Sequence, residues 1–221
     1  MEEQFLMGAI RVTFYFDPIS PYAWLASKAL ARIEDIGGEI VFQPVLFAGL
    51  LNAHGQKGPA EVAAKRRYMF RDVMREATRA GLPFKAPPGH PFNSLQALRM
   101  CLAVTEAGPR RRFALAVMAA CWEQGRDISD LAVLKHIAFE CGLAADELAA
   151  QARQAGIKVQ LAADTEQAIG DGVFGVPTFK VDGDLFWGAD RVHSLLRYLQ
   201  GARIDEAALA DILARPAMAE R

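Results

Sequence analysis

Ser20 is the residue of this sequence whose type and setting most clearly suggest chemistry. It stands between an apolar run, Ile10 to Phe16, and a helical pattern that begins at Pro21 and lasts to Ile36. Serine is favoured at a helix N-cap, and proline at the first helical position because its missing N–H needs no partner there. Unpaired backbone N–H groups and the helix dipole favour negative charge at such a position. Ser20 is therefore predicted to help hold an anion or a thiolate; the alternative is that it only caps the helix.

A second segment of chemical interest runs from Gly172 to Phe179 and reads GVFGVPTF. Its Val-Pro-Thr precedes a strand pattern, so Pro177 is either an ordinary proline at a strand start or a cis-proline. A cis bond would turn the backbone N–H and C=O of Val176 outward, where they can pair with an extended peptide as a strand would. Val176 is then predicted to dock a peptide backbone.

The three cysteines offer little chemistry of their own. Cys101, Cys121 and Cys141 lie singly in helical contexts, with no Cys-x-x-Cys pair and no neighbouring histidine at ligand spacing. They are predicted to be buried as small apolar side chains. The sequence argues against dithiol chemistry, and no metal site is expected.

Composition narrows the class of protein. The chain has 221 residues, 52% hydrophobic and 23% charged, with a net charge of -1. Such a balance is ordinary for a globular protein and gives no reason to expect nucleic acid or an anionic membrane as the main partner. The N-terminus, MEEQFLMGAI, lacks the pattern of a secretory signal, and no apolar run is long enough for a membrane span. A cytoplasmic location is expected.

The elements around Ser20 form a βαβ unit. Ile10 to Phe16 is predicted as the first strand, and the following helix presents an apolar face until Gly37 and Gly38 end it. Ile40 to Leu46 is predicted as a second strand, with Pro44 indicating a strand end or a sheet edge. The two strands are expected to pair in parallel.

The middle of the chain is predicted to be helical. The segment LLNAHGQKGP is predicted as a loop, Pro59 opens a helical pattern that lasts to Gly81, and a proline-rich loop spans Leu82 to Phe92. No β-rich run interrupts the rest of this region. Further helices are predicted at Ser94 to Glu106, Pro109 to Gln124, Asp130 to Cys141, Ala145 to Ala155 and Thr165 to Gly170.

Strand character returns only after Pro177. TFKVDGDLFW contains two short apolar runs joined by Asp-Gly, which predicts an antiparallel hairpin, and a helix follows from Arg191 to Leu199. The order β-α-β, helices, β-β-α predicts an α/β thioredoxin-like fold with an inserted α-helical domain. Residues 8–50 and 164–202 are assigned to the thioredoxin-like domain, 51–163 to the insertion and 203–221 to a C-terminal helix or tail. In such a fold Pro177 is expected to be cis and to face the first helix.

Five segments together resemble a known family. FYFDPISPYAWLA, HGQKGPAE, HPFNSLQALR, GVFGVPTF and DGDLFWGADR are similar to the bacterial 2-hydroxychromene-2-carboxylate isomerases, relatives of the kappa-class glutathione transferases in the DsbA-like thioredoxin superfamily. The resemblance spans Ile10 to about Leu199. It implies that Ser20 replaces a redox cysteine and contacts the sulfur of bound glutathione, the cofactor.

The same resemblance implies roles for other residues. Val176, beside Pro177, would clamp the cysteinyl part of glutathione, and Ala189 and Asp190 would lie near its γ-glutamyl end. Further glutathione contacts are assigned to Tyr22 and Gln56, although Tyr22 is also interpreted as core or cleft wall.

Four residues are assigned to the second substrate. Lys57 is a candidate for binding the carboxylate of the substrate or that of the glutathione glycine; the alternative is that it is only solvated. His54 is either a proton shuttle or a surface histidine. Phe92 and Asn93 match a pair that contacts the aromatic substrate in the isomerases; Asn93 is equally suited to cap the following helix.

The resemblance implies a glutathione-dependent isomerase acting on a bicyclic hemiketal from aromatic degradation. Its expected steps are addition of the glutathione thiolate to the conjugated double bond of the ring-opened acid, rotation, and elimination. A kappa-like glutathione transferase is the first alternative, followed by a disulfide oxidoreductase and a peptide-docking module without catalysis. A homodimer is expected.

Overall fold

The computed structural model describes residues 10–216. The interpretation of the N-terminal segment as lacking a secretory signal, and the outermost residues of the predicted domains (8, 9 and 217–221), lie outside this range. Within it, four strands form one sheet in the order β2-β1-β3-β4. The strands are β1 (Ile10–Phe16), β2 (Gly38–Pro44), β3 (Thr178–Val181) and β4 (Asp184–Trp187).

Pairing in this sheet is mixed. β1 and β2 are parallel, from Ile10 opposite Gly38 to Phe16 opposite Pro44. β3 runs antiparallel to both β1 and β4, and the Asp-Gly turn joins β3 to β4 as predicted. The predicted βαβ unit and hairpin are confirmed.

Helices occupy most of the remaining chain. The first three and the long helix that follows them are α1 (Pro21–Ser27), α2 (Ala31–Glu34), α3 (Phe47–Ala53) and α4 (Ala63–Arg79). The others are α5 (Leu95–Ala103), α6 (Ala107–Trp122), α7 (Leu131–Glu140), α8 (Ala145–Gln151), α9 (Ala155–Gly170), α10 (Val192–Leu199) and α11 (Glu206–Leu213). Short 3₁₀ turns at Pro59–Glu61 and Ala189–Arg191 precede α4 and α10. No helix in residues 10–216 has both the length and the apolar character needed to cross a membrane.

Phenylalanines at the centre of the sheet form the core that positions the site. Phe14 is fully buried, and its ring centroid lies 5.0 Å from that of Phe179 and 5.4 Å from that of Phe42. Phe16 stacks on Phe14 at 5.6 Å. Aromatic rings at these separations attract one another in addition to burying apolar area. This cluster holds β1, β2 and β3 together just below the residues that end β1 and begin β3.

Two predicted elements near Ser20 have different bounds. The helix predicted from Pro21 to Ile36 is divided into α1 and α2, because Lys28 and Ala29 donate hydrogen bonds three residues back and the Ser27 hydroxyl binds the Trp24 carbonyl. Strand β2 begins and ends two residues earlier than predicted, since its register is set by pairing along the whole of β1.

Two other differences concern helices. The loop predicted from Leu50 to Pro59 begins only beyond Ala53, because Leu50 and Leu51 are buried and belong to the short helix α3. Helix α9 is continuous from Ala155 to Gly170, whereas separate helices were predicted to end at Ala155 and start at Thr165. Leu161, Thr165 and Ala168 are buried along one side of it.

Candidate active site

Ser20 and Val176 lie in contact although they are far apart in the sequence. The Ser20 Oγ donates a hydrogen bond to the Val176 carbonyl at 3.3 Å and accepts one from the Ala23 N–H at 3.2 Å. The contact follows from the sheet, because β1 ends where the antiparallel β3 begins, with Tyr15 opposite Thr178. Ser20 is the N-cap of α1, as predicted, and is 7% exposed.

The backbone at Val176 has the conformation that the sequence predicted. The Val176–Pro177 peptide bond is cis. Within residues 10–216, the Val176 N–H has no hydrogen-bond partner, whereas the Pro177 carbonyl accepts from the Gly188 N–H at 2.9 Å. Val176 thus offers a free backbone donor beside the Ser20 hydroxyl. Helix α1 is only seven residues long, so its dipole offers a ligand little. The groups that a ligand could bind here are the Val176 N–H and the Ser20 hydroxyl.

A large cleft opens beside this pair, with a volume of about 1870 Å³. Its walls come from α1, from the segment around α3, from α4, from the loop before α5 and from both sides of the β3–β4 hairpin. Ten of the eleven residues predicted for the site line this cleft: Ser20, Tyr22, Gln56, Lys57, Phe92, Asn93, Val176, Pro177, Ala189 and Asp190.

His54 is the predicted residue that does not line the cleft. It is exposed at the end of α3, and its ring meets the edge of Phe174 at a centroid distance of 6.5 Å. Its position matches the alternative interpretation, a surface histidine, because the chain turns after Ala53 and directs Gln56 and Lys57 toward the cleft instead.

Other predicted residues have defined partners. The Asn93 Oδ1 accepts from the Leu95 N–H at 2.9 Å, at the start of α5. Ser94 is the N-cap residue, so Asn93 lies one position before the cap that the alternative interpretation assigned to it. The Tyr22 hydroxyl donates to Asp72 at 2.9 Å, and burial together with this bond raises its pKa. The Tyr22 side chain therefore forms part of the cleft wall, and its hydroxyl is hydrogen-bonded to Asp72. A glutathione contact by Tyr22 stays a prediction.

The hairpin side of the cleft requires two glycines. Gly188 has φ +111°, and a Cβ there would collide with the Asp190 carboxylate, which also pairs with Arg191 at 3.0 Å. A Cβ on Gly175 would lie 2.6 Å from Nε1 of Trp187. The Trp187 indole thus packs directly on the backbone that leads to Val176, and it is 52% exposed.

Sequence reasoning missed Asp17, which lines the cleft three residues before Ser20. Its carboxylate is 1% exposed and accepts hydrogen bonds from the Ile19 N–H at 3.0 Å, the Phe47 N–H at 3.0 Å and the Ser94 hydroxyl at 3.1 Å. Burial raises the pKa of Asp17 to about 6, although the three bonds act in the opposite direction. The sequence did contain a signal for Asp17, the Asp-Pro pair that follows β1. An aspartate side chain before such a turn often accepts a hydrogen bond from the backbone N–H two residues later.

His90 makes a structural contact with the cleft-lining loop. Its Nε2 lies 3.0 Å from the Ile19 carbonyl and must carry the proton of that bond. Burial lowers the pKa of His90, which favours the neutral ring. Trp122 makes a similar contact, donating from Nε1 to the Pro18 carbonyl at 2.9 Å. Both side chains hold the loop that carries Ser20. His193, near the start of α10, is exposed.

Asp17 is expected to make the folded protein less stable as the pH rises from about 4 to about 6. In this window the folded state keeps a proton that the unfolded chain, with an aspartate pKa of about 3.9, has released. The contribution to the free energy of unfolding falls by about 2 to 3 kcal/mol and stays low above the window. Urea unfolding at about pH 4.5 and about pH 7 should show this fall in the wild type relative to Asp17→Asn.

The comparison with the variant is needed because other carboxylates act in the opposite sense. A hydrogen bond from Lys180, for example, lowers the pKa of Asp171, which stabilises the fold at higher pH. Equal pH dependence in the wild type and in Asp17→Asn would show that Asp17 titrates normally.

The three cysteines are buried, as predicted, and lie outside the cleft lining. Burial raises the pKa of all three thiols, that of Cys101 to about 12. No dithiol is present at the Ser20 position, and within residues 10–216 no group of three or more His, Cys, Asp or Glu side chains is arranged to hold a metal ion.

Comparison with known proteins gives consistent matches over nearly the whole chain. Residues 11–200 match the family model described as a DSBA-like thioredoxin domain. The chain is 31% identical over 193 residues to a 2-hydroxychromene-2-carboxylate isomerase of Sphingobium xenophagum, covering 85% of this chain and 97% of that protein. It is 27% identical over 207 residues to human glutathione S-transferase kappa 1, covering 87% and 91%.

Solved structures show the same fold. A structure of 2-hydroxychromene-2-carboxylate isomerase superposes with a TM-score of 0.78 at 23% identity, covering 92% of this chain and 96% of that one. The cytosolic disulfide reductase DsbM of Pseudomonas aeruginosa, solved with GSH, gives a TM-score of 0.62 at 19% identity, covering 92% and 99%. At these identities the likeness establishes a thioredoxin-like fold with added helices and nothing finer.

Proposed function

The chain belongs to the DSBA-like thioredoxin domain family, in the group of the 2-hydroxychromene-2-carboxylate isomerases and kappa-class glutathione transferases, and from this premise we propose a function. The protein is a glutathione-dependent isomerase that converts 2-hydroxychromene-2-carboxylate, or a related hemiketal from aromatic degradation, to the trans-benzylidenepyruvate. The observation that carries this proposal is the contact between the Ser20 hydroxyl and the Val176 carbonyl at the edge of the cleft.

The residues at this contact suit a short peptide with a thiol. The unpaired N–H and the carbonyl of Val176 are one donor and one acceptor, as a peptide backbone requires. The Ser20 hydroxyl, now directed at the Val176 carbonyl, can rotate and donate to a sulfur instead. Asp190, with its carboxylate largely exposed, is placed on the hairpin side, where it can accept from an α-ammonium group. Glutathione carries each of these groups.

When bound, glutathione would supply a thiolate that adds reversibly to the conjugated double bond of the ring-opened acid and leaves after the bond has rotated. Ser20 would stabilise the anionic sulfur by hydrogen bonding and so lower its pKa. Lys57, exposed and without an ion-pair partner in residues 10–216, would bind the carboxylate of the aromatic acid. Phe92, which also lines the cleft, would contact the aromatic ring of the acid.

The test is conversion of 2-hydroxychromene-2-carboxylate to the trans keto acid, followed by absorbance, with and without glutathione. Turnover is expected to require glutathione and to leave its concentration unchanged. Consumption of glutathione into a thioether, with a chloronitroarene or with the acid itself, would contradict the isomerase and indicate a kappa-like transferase. Saturable binding without turnover on either compound would indicate a docking module.

Trp187 is expected to report glutathione binding by a change in its fluorescence. It is the one tryptophan of the sequence that is exposed, at 52%, because Trp24 and Trp122 are fully buried. It also packs on Gly175, next to the Val176 backbone. Titration with glutathione should change the emission of the wild type and leave that of Trp187→Phe nearly constant. A signal that persists in the variant would mean that binding is sensed elsewhere.

A further inference from the structure

The carboxylate of Asp17 joins three segments that border the cleft. One oxygen, Oδ1, accepts from the Ile19 N–H, and the other, Oδ2, accepts from both the Phe47 N–H and the Ser94 hydroxyl. No cation pairs with this carboxylate in residues 10–216. A fully buried charge held only by neutral donors is unfavourable for stability, so its presence needs a reason other than holding the fold together.

Each donor belongs to a segment with a candidate ligand contact. Ile19 directly precedes Ser20. Phe47 is the first residue of α3, whose Leu51 carbonyl accepts from the Gln56 N–H at 2.9 Å and so places the Gln56–Lys57 segment. Ser94 follows Asn93, and its hydroxyl bonds to Asp17 instead of capping α5. A single carboxylate therefore connects the sulfur-binding, carboxylate-binding and ring-binding sides of the cleft.

The loop from Asp17 to Ser20 is held at its other polar groups as well. The Asp17 carbonyl accepts from the Ser20 N–H at 3.0 Å, and Trp122 and His90 donate to the Pro18 and Ile19 carbonyls. Trp122 and His90 fix the loop only to the helical region. Asp17 is the member of this group that also reaches α3, through the Phe47 N–H.

We propose that Asp17 is a positioning residue, which fixes Ser20 relative to Val176 and to the segments carrying Gln56, Lys57 and Asn93. The proposal rests on the function proposed above. Asp17 acts through these segments and makes no contact with the reacting atoms. A carboxylate is required because it accepts on both oxygens, whereas an amide accepts on one and donates on the other.

Asp17→Asn therefore has a specific expected effect. The amide oxygen can keep the two donors at the Oδ2 position, Phe47 and Ser94, which leaves the amide NH₂ group facing the Ile19 N–H. Exchange should accelerate at the amide hydrogens of residues 19–23, of which Pro21 has none, and change little at the start of α3. The kcat should fall about 100-fold, since small displacements of a catalytic group have effects of this size.

Two further variants define the effect. Ser94→Ala removes the Ser94 hydroxyl donor and leaves the Asp17 carboxylate in place. Because Ser94 belongs to the ring-binding side of the cleft, this variant should raise KM for the aromatic acid with little change in kcat or in glutathione affinity. Asp127→Asn is the matched control: Asp127 accepts from the Ser129 N–H and hydroxyl in an exposed loop outside the cleft lining. Its kcat should stay within about 2-fold of the wild type, as surface substitutions have small effects.

The outcomes separate this proposal from the proposed function. Faster exchange at residues 19–23 together with a lower kcat supports Asp17 as a positioning residue. Unchanged exchange with a lower kcat, or faster exchange with an unchanged kcat, overturns it. If the wild type shows no glutathione-dependent turnover, the proposed function fails; the exchange measurement then still decides whether Asp17 orders the Ser20 loop.

Discussion

Replacing Ser20 with alanine is expected to lower kcat about 100-fold, while the free energy of unfolding falls by only about 1 kcal/mol. The kinetic loss follows from removing the Ser20 hydroxyl, a side-chain donor at the Val176 backbone, where an anionic sulfur would be held. The small stability loss is that of a helix N-cap, since the hydroxyl also accepts from the Ala23 N–H. Steady-state kinetics at saturating glutathione and urea unfolding measure the two quantities.

Asp130→Ala provides the matched control for this prediction. Asp130 is the N-cap of α7 and accepts from the Ala132 N–H at 2.8 Å, but it does not line the cleft. Its replacement should cost about the same stability and leave kcat unchanged. A similar loss of activity in the two variants would mean that Ser20 is only a cap, the alternative that its sequence context left open.

Replacing Phe14 with alanine is expected to lower the free energy of unfolding by about 3 to 5 kcal/mol. Phe14 is fully buried and touches the rings of Phe16, Phe42 and Phe179. Its removal leaves a cavity where β1, β2 and β3 meet and withdraws three aromatic contacts at once. Urea unfolding followed by far-ultraviolet circular dichroism measures the loss, which is a large part of the total stability of a typical domain.

Phe139→Ala is the control for Phe14. The Phe139 side chain is 72% exposed on α7, so its removal should change stability by less than about 0.5 kcal/mol. A loss of less than about 2 kcal/mol for Phe14→Ala would contradict the central place assigned to the phenylalanine cluster. Loss of glutathione binding without loss of stability would likewise contradict a purely packing role.

Much of the fold could be predicted because its signals are local. The Asp-Gly hairpin, the apolar run of β1 and the prolines at helix starts each depend on a few adjacent residues. α3 was missed because seven residues give too short a hydrophobic pattern to separate a helix from a loop. The division between α1 and α2 arises from the Ser27 hydroxyl and from tightened turns, which no periodicity reveals.

Around Ser20, the sequence predicted the contacts that short motifs carry and missed those made by distant residues. The proximity of Ser20 and Val176 was expected from the Ser-Pro and Val-Pro segments, and the structure shows it. Trp122 lies more than a hundred residues from the Pro18 carbonyl that it binds, and His90 lies 71 residues from Ile19. Such pairings depend on how the helices pack on the sheet, and the sequence does not display them.

The buried cysteines have a practical consequence for studying this protein. Because burial raises the pKa of every thiol of the chain, the folded protein carries essentially no thiolate of its own near neutral pH. A sulfur anion that ultraviolet difference absorbance detects, in excess of that of glutathione alone in the same buffer, would then belong to the bound molecule. The ionisation of that molecule can be titrated directly in the native protein, without first removing cysteines by mutation.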